Sequence, residues 1–146
     1  MTGWHSEVPH DFRFTLKVSQ AITHRKKLKD VDEEMGRFLD AAHALNEKLA
    51  VVLVQLPPFF RKDLTTLKDF LGKFAAQAKL AFEFRHDSWM TEDVRLLIRE
   101  HHCTMAVVET EERSQLSDPP DQTGPFVYLR LRKGEYDQAE LRGWAD

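Results

Sequence analysis

Phe12-Arg13-Phe14-Thr15-Leu16-Lys17-Val18 alternates apolar and polar side chains without a break. Successive side chains of a β-strand point to opposite faces, so Phe12, Phe14, Leu16 and Val18 share one side while Arg13, Thr15 and Lys17 share the other. The same split recurs further along. Glu83 and Arg85 oppose Phe82 and Phe84, and Tyr128, Arg130 and Arg132 oppose Val127, Leu129 and Leu131. One face suits packing under helices, whereas the other gathers polar groups toward the strand ends. A barrel lumen accounts for that better than an open sheet covered by helices on both faces.

Working outward, Val-, Leu- and Phe-rich runs bounded by polar or Pro-containing breaks predict strands over residues 12–18, 51–56, 80–84, 104–108 and 126–131. Amphipathic helical patterns lie between them. Val31, Met35, Phe38, Leu39, Ala42 and Leu45 fall on one face, as do Leu64, Leu67, Phe70, Leu71, Phe74 and Ala78. A third helix is expected from the N-cap Thr91, with Glu92 and Asp93 complementing its positive end and Val94, Leu97 and Ile98 facing inward. Strand, helix and strand in alternation require crossovers and hence parallel pairing. Residues 109–125, with Pro119, Pro120 and clustered charge, read as a long loop. The expectation is one domain over residues 1–146, α/β in class, with parallel strands forming an incomplete TIM-barrel-like fold.

The 146 residues are 42% hydrophobic and include ten Phe, which is ample for a core. A net charge of −3 provides no global basic field for nucleic acid or acidic membranes, so any anion site has to be local. Cys103 is the only cysteine, which excludes an internal disulfide and suits a reducing compartment. The first thirty residues carry Trp4, His5, Glu7, Asp11, Arg13 and Lys17 instead of an apolar signal core, and no apolar run reaches membrane-spanning length. The expected setting is the cytoplasm, without a membrane partner.

Lys17, Gln55, Glu83, Arg85 and Arg130 occupy or follow the carboxyl ends of their strands, where parallel barrels build active sites. Lys17, Arg85 and Arg130 have the chemistry to hold a phosphate or carboxylate, Glu83 that of a base, and Gln55 that of a polar guide. The alternative is that these charges neutralise one another inside the barrel, and spacing does not choose between the two. Thr23 and His24 follow the first strand, ahead of Arg25, Lys26 and Lys27, as either a phosphate-facing loop or a solvated basic turn. Glu83 to Trp89 forms the densest constellation, joining an acid, Arg85, His86 and an aromatic platform; its plain reading is a salt-bridged loop with Trp89 packed on the next helix. Pro57 and Pro58 stiffen the exit from the second strand. Seven histidines show no zinc spacing, Cys103 has no local base, and no motif identifies a cofactor.

The stretches Asp11-Phe-Arg-Phe-Thr-Leu-Lys17, Ile22-Thr-His24, Val54-Gln-Leu-Pro-Pro58, Phe82-Glu-Phe-Arg-His-Asp-Ser-Trp89 and Val127-Tyr-Leu-Arg130, in this order, resemble the YecE-like family, known as domain of unknown function 72. The resemblance covers almost the whole chain and implies a TIM-barrel-like fold, but no established activity. Lys17, Thr23, His24, Gln55, Glu83, Arg85, His86, Trp89, Tyr128 and Arg130 coincide with positions characteristic of the family. After Arg130 the family commonly continues Leu, His, Gly, whereas here Leu131, Arg132 and Lys133 precede Gly134. Relatives also carry more barrel before Trp4 and after Trp144, so exposed sheet edges and self-association through them are expected.

The site residues expected from these readings are Glu83, Lys17 and His24 as catalytic groups, with Thr23, Gln55, Arg85, His86, Trp89, Tyr128 and Arg130 binding substrate. The leading function is an enzyme acting on a small anionic, phosphorylated or sugar-like substrate at the mouth of the barrel. A nucleic-acid-processing or nucleic-acid-binding barrel is the first alternative, in which Trp89 stacks on a base; a non-catalytic scaffold is the second.

Overall fold

The computed structural model describes residues 2–111 and 123–145. The strands β1 (Phe14–Lys17), β2 (Leu49–Gln55), β3 (Leu80–Glu83) and β4 (Thr104–Met105) form a parallel sheet in the order β1-β2-β3-β4. A second parallel pair joins β5 (Val107–Glu109) to β6 (Leu129–Leu131). Around the strands lie the helices α1 (Thr2–Glu7), α2 (Asp32–His43), α3 (Leu64–Phe74), α4 (Glu92–Glu100) and α5 (Gln138–Ala145).

Strand alternation with helices is thus as read from the sequence, and the differences are local. β1 begins two residues late: Phe12 is 45% exposed, turned onto Phe14 with ring centroids 4.8 Å apart. The run expected over residues 104–108 divides at Ala106. Ala106 N–H donates to the Phe82 carbonyl and Val107 N–H to the Tyr128 carbonyl, so the ladder changes partner from β3 to β6 at a single residue. The last strand covers only Leu129–Leu131, and residues 112–122 of the expected long loop lie outside the described residues. No closed barrel forms among the described residues.

Each sheet face follows from alternation. Val52, Val54, Leu80, Phe82 and Phe84 are buried in one cluster with Met35 and Leu39 of α2, Leu67, Phe70, Leu71 and Phe74 of α3, and Val94, Leu97 and Ile98 of α4. An aromatic chain runs through it from Phe70 to Phe82, Phe84, Trp89 and Phe60, with consecutive centroids 4.9 to 6.2 Å apart. Edge-to-face and offset pairs of this kind each add about 0.5–1.5 kcal/mol beyond their buried area.

The helix ends also have identifiable causes. Asp63 caps α3 by accepting from Thr66 N–H at 3.0 Å, and that bond holds its carboxyl below the usual range. Thr91 does occupy the N-cap of α4, but its hydroxyl turns to Asp93, which itself accepts the Val94 N–H at 2.9 Å. Gly124 is required by proximity, because a Cβ there would lie 2.0 Å from the Cys103 carbonyl oxygen. That close approach, together with Thr104 Oγ1 donating to the Phe126 carbonyl at 2.8 Å, brings the chain back beside β4 ahead of β6.

Candidate functional site

Partners in parallel register point to the same face of a sheet. Lys17 pairs with Leu53 and Leu53 with Ala81, and one layer further on Gln55 pairs with Glu83. All lie on the face opposite the helices. Buried Leu53 and Ala81 form a floor, and Gln55 and Glu83 sit above it at the carboxyl ends of their strands.

Glu83 organises this layer. Its Oε1 accepts from Arg85 Nε at 2.8 Å, its Oε2 accepts from Arg130 Nη1, and the same Nη1 donates to Gln55 Oε1 at 3.3 Å. The Glu83 side chain is 2% exposed while those of Arg85 and Arg130 are 33% and 25% exposed, so a buried anion holds two partly exposed cations. One negative charge against two positive leaves an excess of positive charge. Lys17, exposed at the end of β1, adds a third cation, and its ammonium makes no hydrogen bond or ion pair with a described residue. Partial burial, then Arg130 and Arg85, lower its pKa against the opposing pull of Glu83.

His24 stands beside these cations on a π-helical turn, Ala21–Arg25, where the sequence left a phosphate-facing loop and a solvated basic turn open. Thr23 is fully buried and its Oγ1 donates to the Ser19 carbonyl at 3.2 Å while lying 2.8 Å from His24 Nδ1. A hydroxyl has one proton, so both contacts are satisfied together when Nδ1 carries hydrogen and donates to Thr23, leaving the Nε2 lone pair available. Burial first, then Lys17 and Arg85, hold the imidazole pKa below its usual value and favour that neutral form.

The remaining expected residues are placed differently. His86 precedes the short helix Asp87–Trp89, and its Nδ1 accepts the Ser88 N–H at 3.1 Å. Trp89 is fully buried in the helix-side core, its indole Nε1 donating to the Phe60 carbonyl at 2.6 Å, and is not brought to the charged layer. Tyr128, just before β6, is half-buried and its carbonyl accepts the Val107 N–H at 2.9 Å.

Two features escaped the sequence reading. Glu109 closes β5 and is 4% exposed, with Oε1 2.9 Å from Lys133 Nζ and Oε2 without a hydrogen-bond partner among the described residues. Register pairs it with Leu131, so it faces away from the side shared by Val108 and Arg130. Taking the strand one residue further would have marked it. Phe59 is the other. It follows Pro57 and Pro58, is 60% exposed, and has its ring centroid 6.2 Å from that of His24.

The whole chain, residues 1–146, matches the family described as "Protein of unknown function DUF72". The chain belongs to this family. Among curated relatives, the UPF0759 protein YecE of Escherichia coli K12 is 27% identical over 90 residues, which span 61% of this chain and 33% of YecE. Among solved structures, a DUF72 family protein of Thermotoga maritima superposes with a TM-score of 0.76 at 28% identity, covering 94% of this chain and 61% of that one. A DUF72 protein of Enterococcus faecalis gives 0.72 at 21% identity, covering 97% and 67% respectively, and bears on the fold alone. These neighbours are TIM-barrel-like, in agreement with the parity of the strands. The chain thus spans a third of YecE and under two thirds of the Thermotoga protein. No described helix is long and apolar enough to cross a membrane.

Proposed function

We propose that the strand-end layer binds a small anionic ligand, phosphorylated or sugar-like, and that the intact protein acts on it as an enzyme. The observation that carries this reading is the imbalance of charge around Glu83. Arg85 and Arg130 share this one carboxylate, and Lys17 beside them pairs with no described residue. Exposed Lys17 sets a third positive charge at the rim of a cluster that already holds one carboxylate against two guanidiniums, so the local field attracts an anion. A bound phosphate or carboxylate supplies the missing negative charge, and guanidiniums already fixed by Glu83 meet it without reorganising.

Roles follow from what each group has free. Glu83 spends both oxygens on the two arginines and acts as the positioning residue for them. Gln55 steadies Arg130 from the next strand. Lys17 contacts the anion as a mobile point charge. His24, oriented through Thr23 and kept neutral, supplies a base at Nε2.

The test is titration of inorganic phosphate and of small phosphate monoesters into the protein by calorimetry, with Lys17→Ala as the variant. Lys17 is no described residue's ion partner, so its removal leaves folding intact while weakening the anion. Saturable binding lost in Lys17→Ala supports the reading. Equal binding by both proteins, or salt-sensitive binding of a single-stranded oligonucleotide in place of phosphate, would replace it.

A further inference from the structure

We infer that Phe59 forms an aromatic wall of the anion site, so that the ligand carries a flat, ring-shaped group next to its phosphate or carboxylate. The inference rests on the anion-binding reading above and specifies its ligand. Among the described residues Phe59 is the most exposed of the large apolar side chains, at 60%, and it belongs to neither core cluster. Yet it is not a loose side chain on a mobile tip. Pro57 and Pro58 stiffen the segment before it, and the Phe60 N–H returns to the Pro57 carbonyl at 3.1 Å to close a turn. Phe60, next in sequence, is pinned in the core, with its carbonyl taken by the Trp89 indole and its ring 5.3 Å from that of Trp89. The chain on both sides of Phe59 is therefore fixed, and the ring is presented outward from a rigid base.

Two residues of the neighbouring turn hold the ring itself. The His24 imidazole meets it in a T-shaped arrangement, with an interplanar angle of 75°, and Lys27 Nζ lies 5.7 Å from its centroid. Lys27 and Leu28 both have left-handed backbone, at φ 50° and 67°, a conformation that side-chain-bearing residues adopt at some cost. His24 is also the residue that feels Lys17 and Arg85. The Phe59 loop leaves β2 four residues after Gln55, at the same carboxyl end of the sheet as Lys17 and Glu83, and the imidazole that packs against its ring belongs to the turn that follows β1. A ligand bound by its charge at Lys17 and Arg85 therefore has an aromatic surface within reach for its uncharged part. Stacking on a preorganised ring adds affinity with little loss of side-chain freedom.

Phenyl phosphate and methyl phosphate carry the same charged group and differ in the ring. Calorimetric titration of both into the native chain, Phe59→Ala and Phe59→Leu tests the inference, with thermal unfolding recorded for each. The native protein should prefer phenyl phosphate by about three- to tenfold. Both variants should lose that preference while binding methyl phosphate as before, at unchanged thermal stability. A native protein that binds the two esters equally, a preference that survives in both variants, or a loss of both esters alike would overturn the aromatic wall and leave the anion site standing. Failure of the native protein to bind either ester would overturn both.

Discussion

Glu83 at the end of β3 and Arg130 in β6 are joined by an ion pair that links the two sheets, and the same carboxylate holds Arg85 through its other oxygen. Replacing Glu83 with Gln keeps the shape but removes the charge, leaving two guanidiniums without compensation. Breaking a fully buried pair costs about 3–5 kcal/mol. With the arginines a quarter to a third exposed, solvent screens part of this, and a loss of about 2–3 kcal/mol is expected for Glu83→Gln by urea denaturation. Adding Arg130→Met to that variant should recover part of the loss; an additive further loss would contradict the shared-carboxylate account.

His24 makes stability depend on pH in one direction. Its folded pKa lies below the ordinary imidazole value of 6.5, so as pH falls past that value the unfolded chain binds a proton the folded chain resists. Stability therefore falls from about pH 6.5 down to the folded pKa and levels off below it. His24→Gln should flatten this part of the stability curve relative to the native chain. Identical curves for the two proteins would show that the neutral imidazole is not favoured by the fold.

Cys103 is buried, and burial pushes its thiol pKa up to about 12. A thiol so rarely ionised, and shielded from reagents, should react with a disulfide reagent at neutral pH only as fast as the protein opens. Fast labelling of the folded chain would contradict the packing around it.

Trp89→Phe separates packing from recognition. The substitution removes the bond from Nε1 to the Phe60 carbonyl and part of a fully buried ring. A cost of about 2–4 kcal/mol is expected from the unsatisfied carbonyl and the residual cavity. Binding of methyl phosphate, measured below the unfolding transition, should stay as in the native chain. Selective loss of phosphate binding at unchanged stability would return Trp89 to the ligand site.

Much of this molecule was legible because alternation is a strong constraint. The parity of residues 12–18 and 80–85 separated a polar lumen from an apolar underside, and the buried sets Val52, Val54 and Leu80, Phe82 confirm the apolar side. The strand-end reading likewise placed Lys17, Gln55 and Glu83, which close β1, β2 and β3, because strand termini depend on local pattern, whereas Arg130 sits in the middle of β6. Side-chain direction beyond a strand end was not legible. Trp89 and His86 sit in a loop whose turn, set by Ser88 N–H bonding to His86 Nδ1, sends the indole into the core. Phe59 and Phe60 are adjacent and identical in type, and the tertiary contacts of Phe60 with Trp89, ring against ring and indole to carbonyl, distinguish the buried one from the exposed one. The partner change at Ala106 depends on where β6 docks, which no local pattern encodes.

The central claim is that Lys17, Arg85 and Arg130 make an anion site with charge to spare. Calorimetric titration of a phosphate monoester into the native chain and Lys17→Ala tests it most directly. The account predicts saturable binding near a Kd of about 1 mM or tighter, weakened at least about tenfold in Lys17→Ala, with both proteins unfolding at the same temperature. Binding that is absent from the native chain, or unchanged without Lys17, would contradict it.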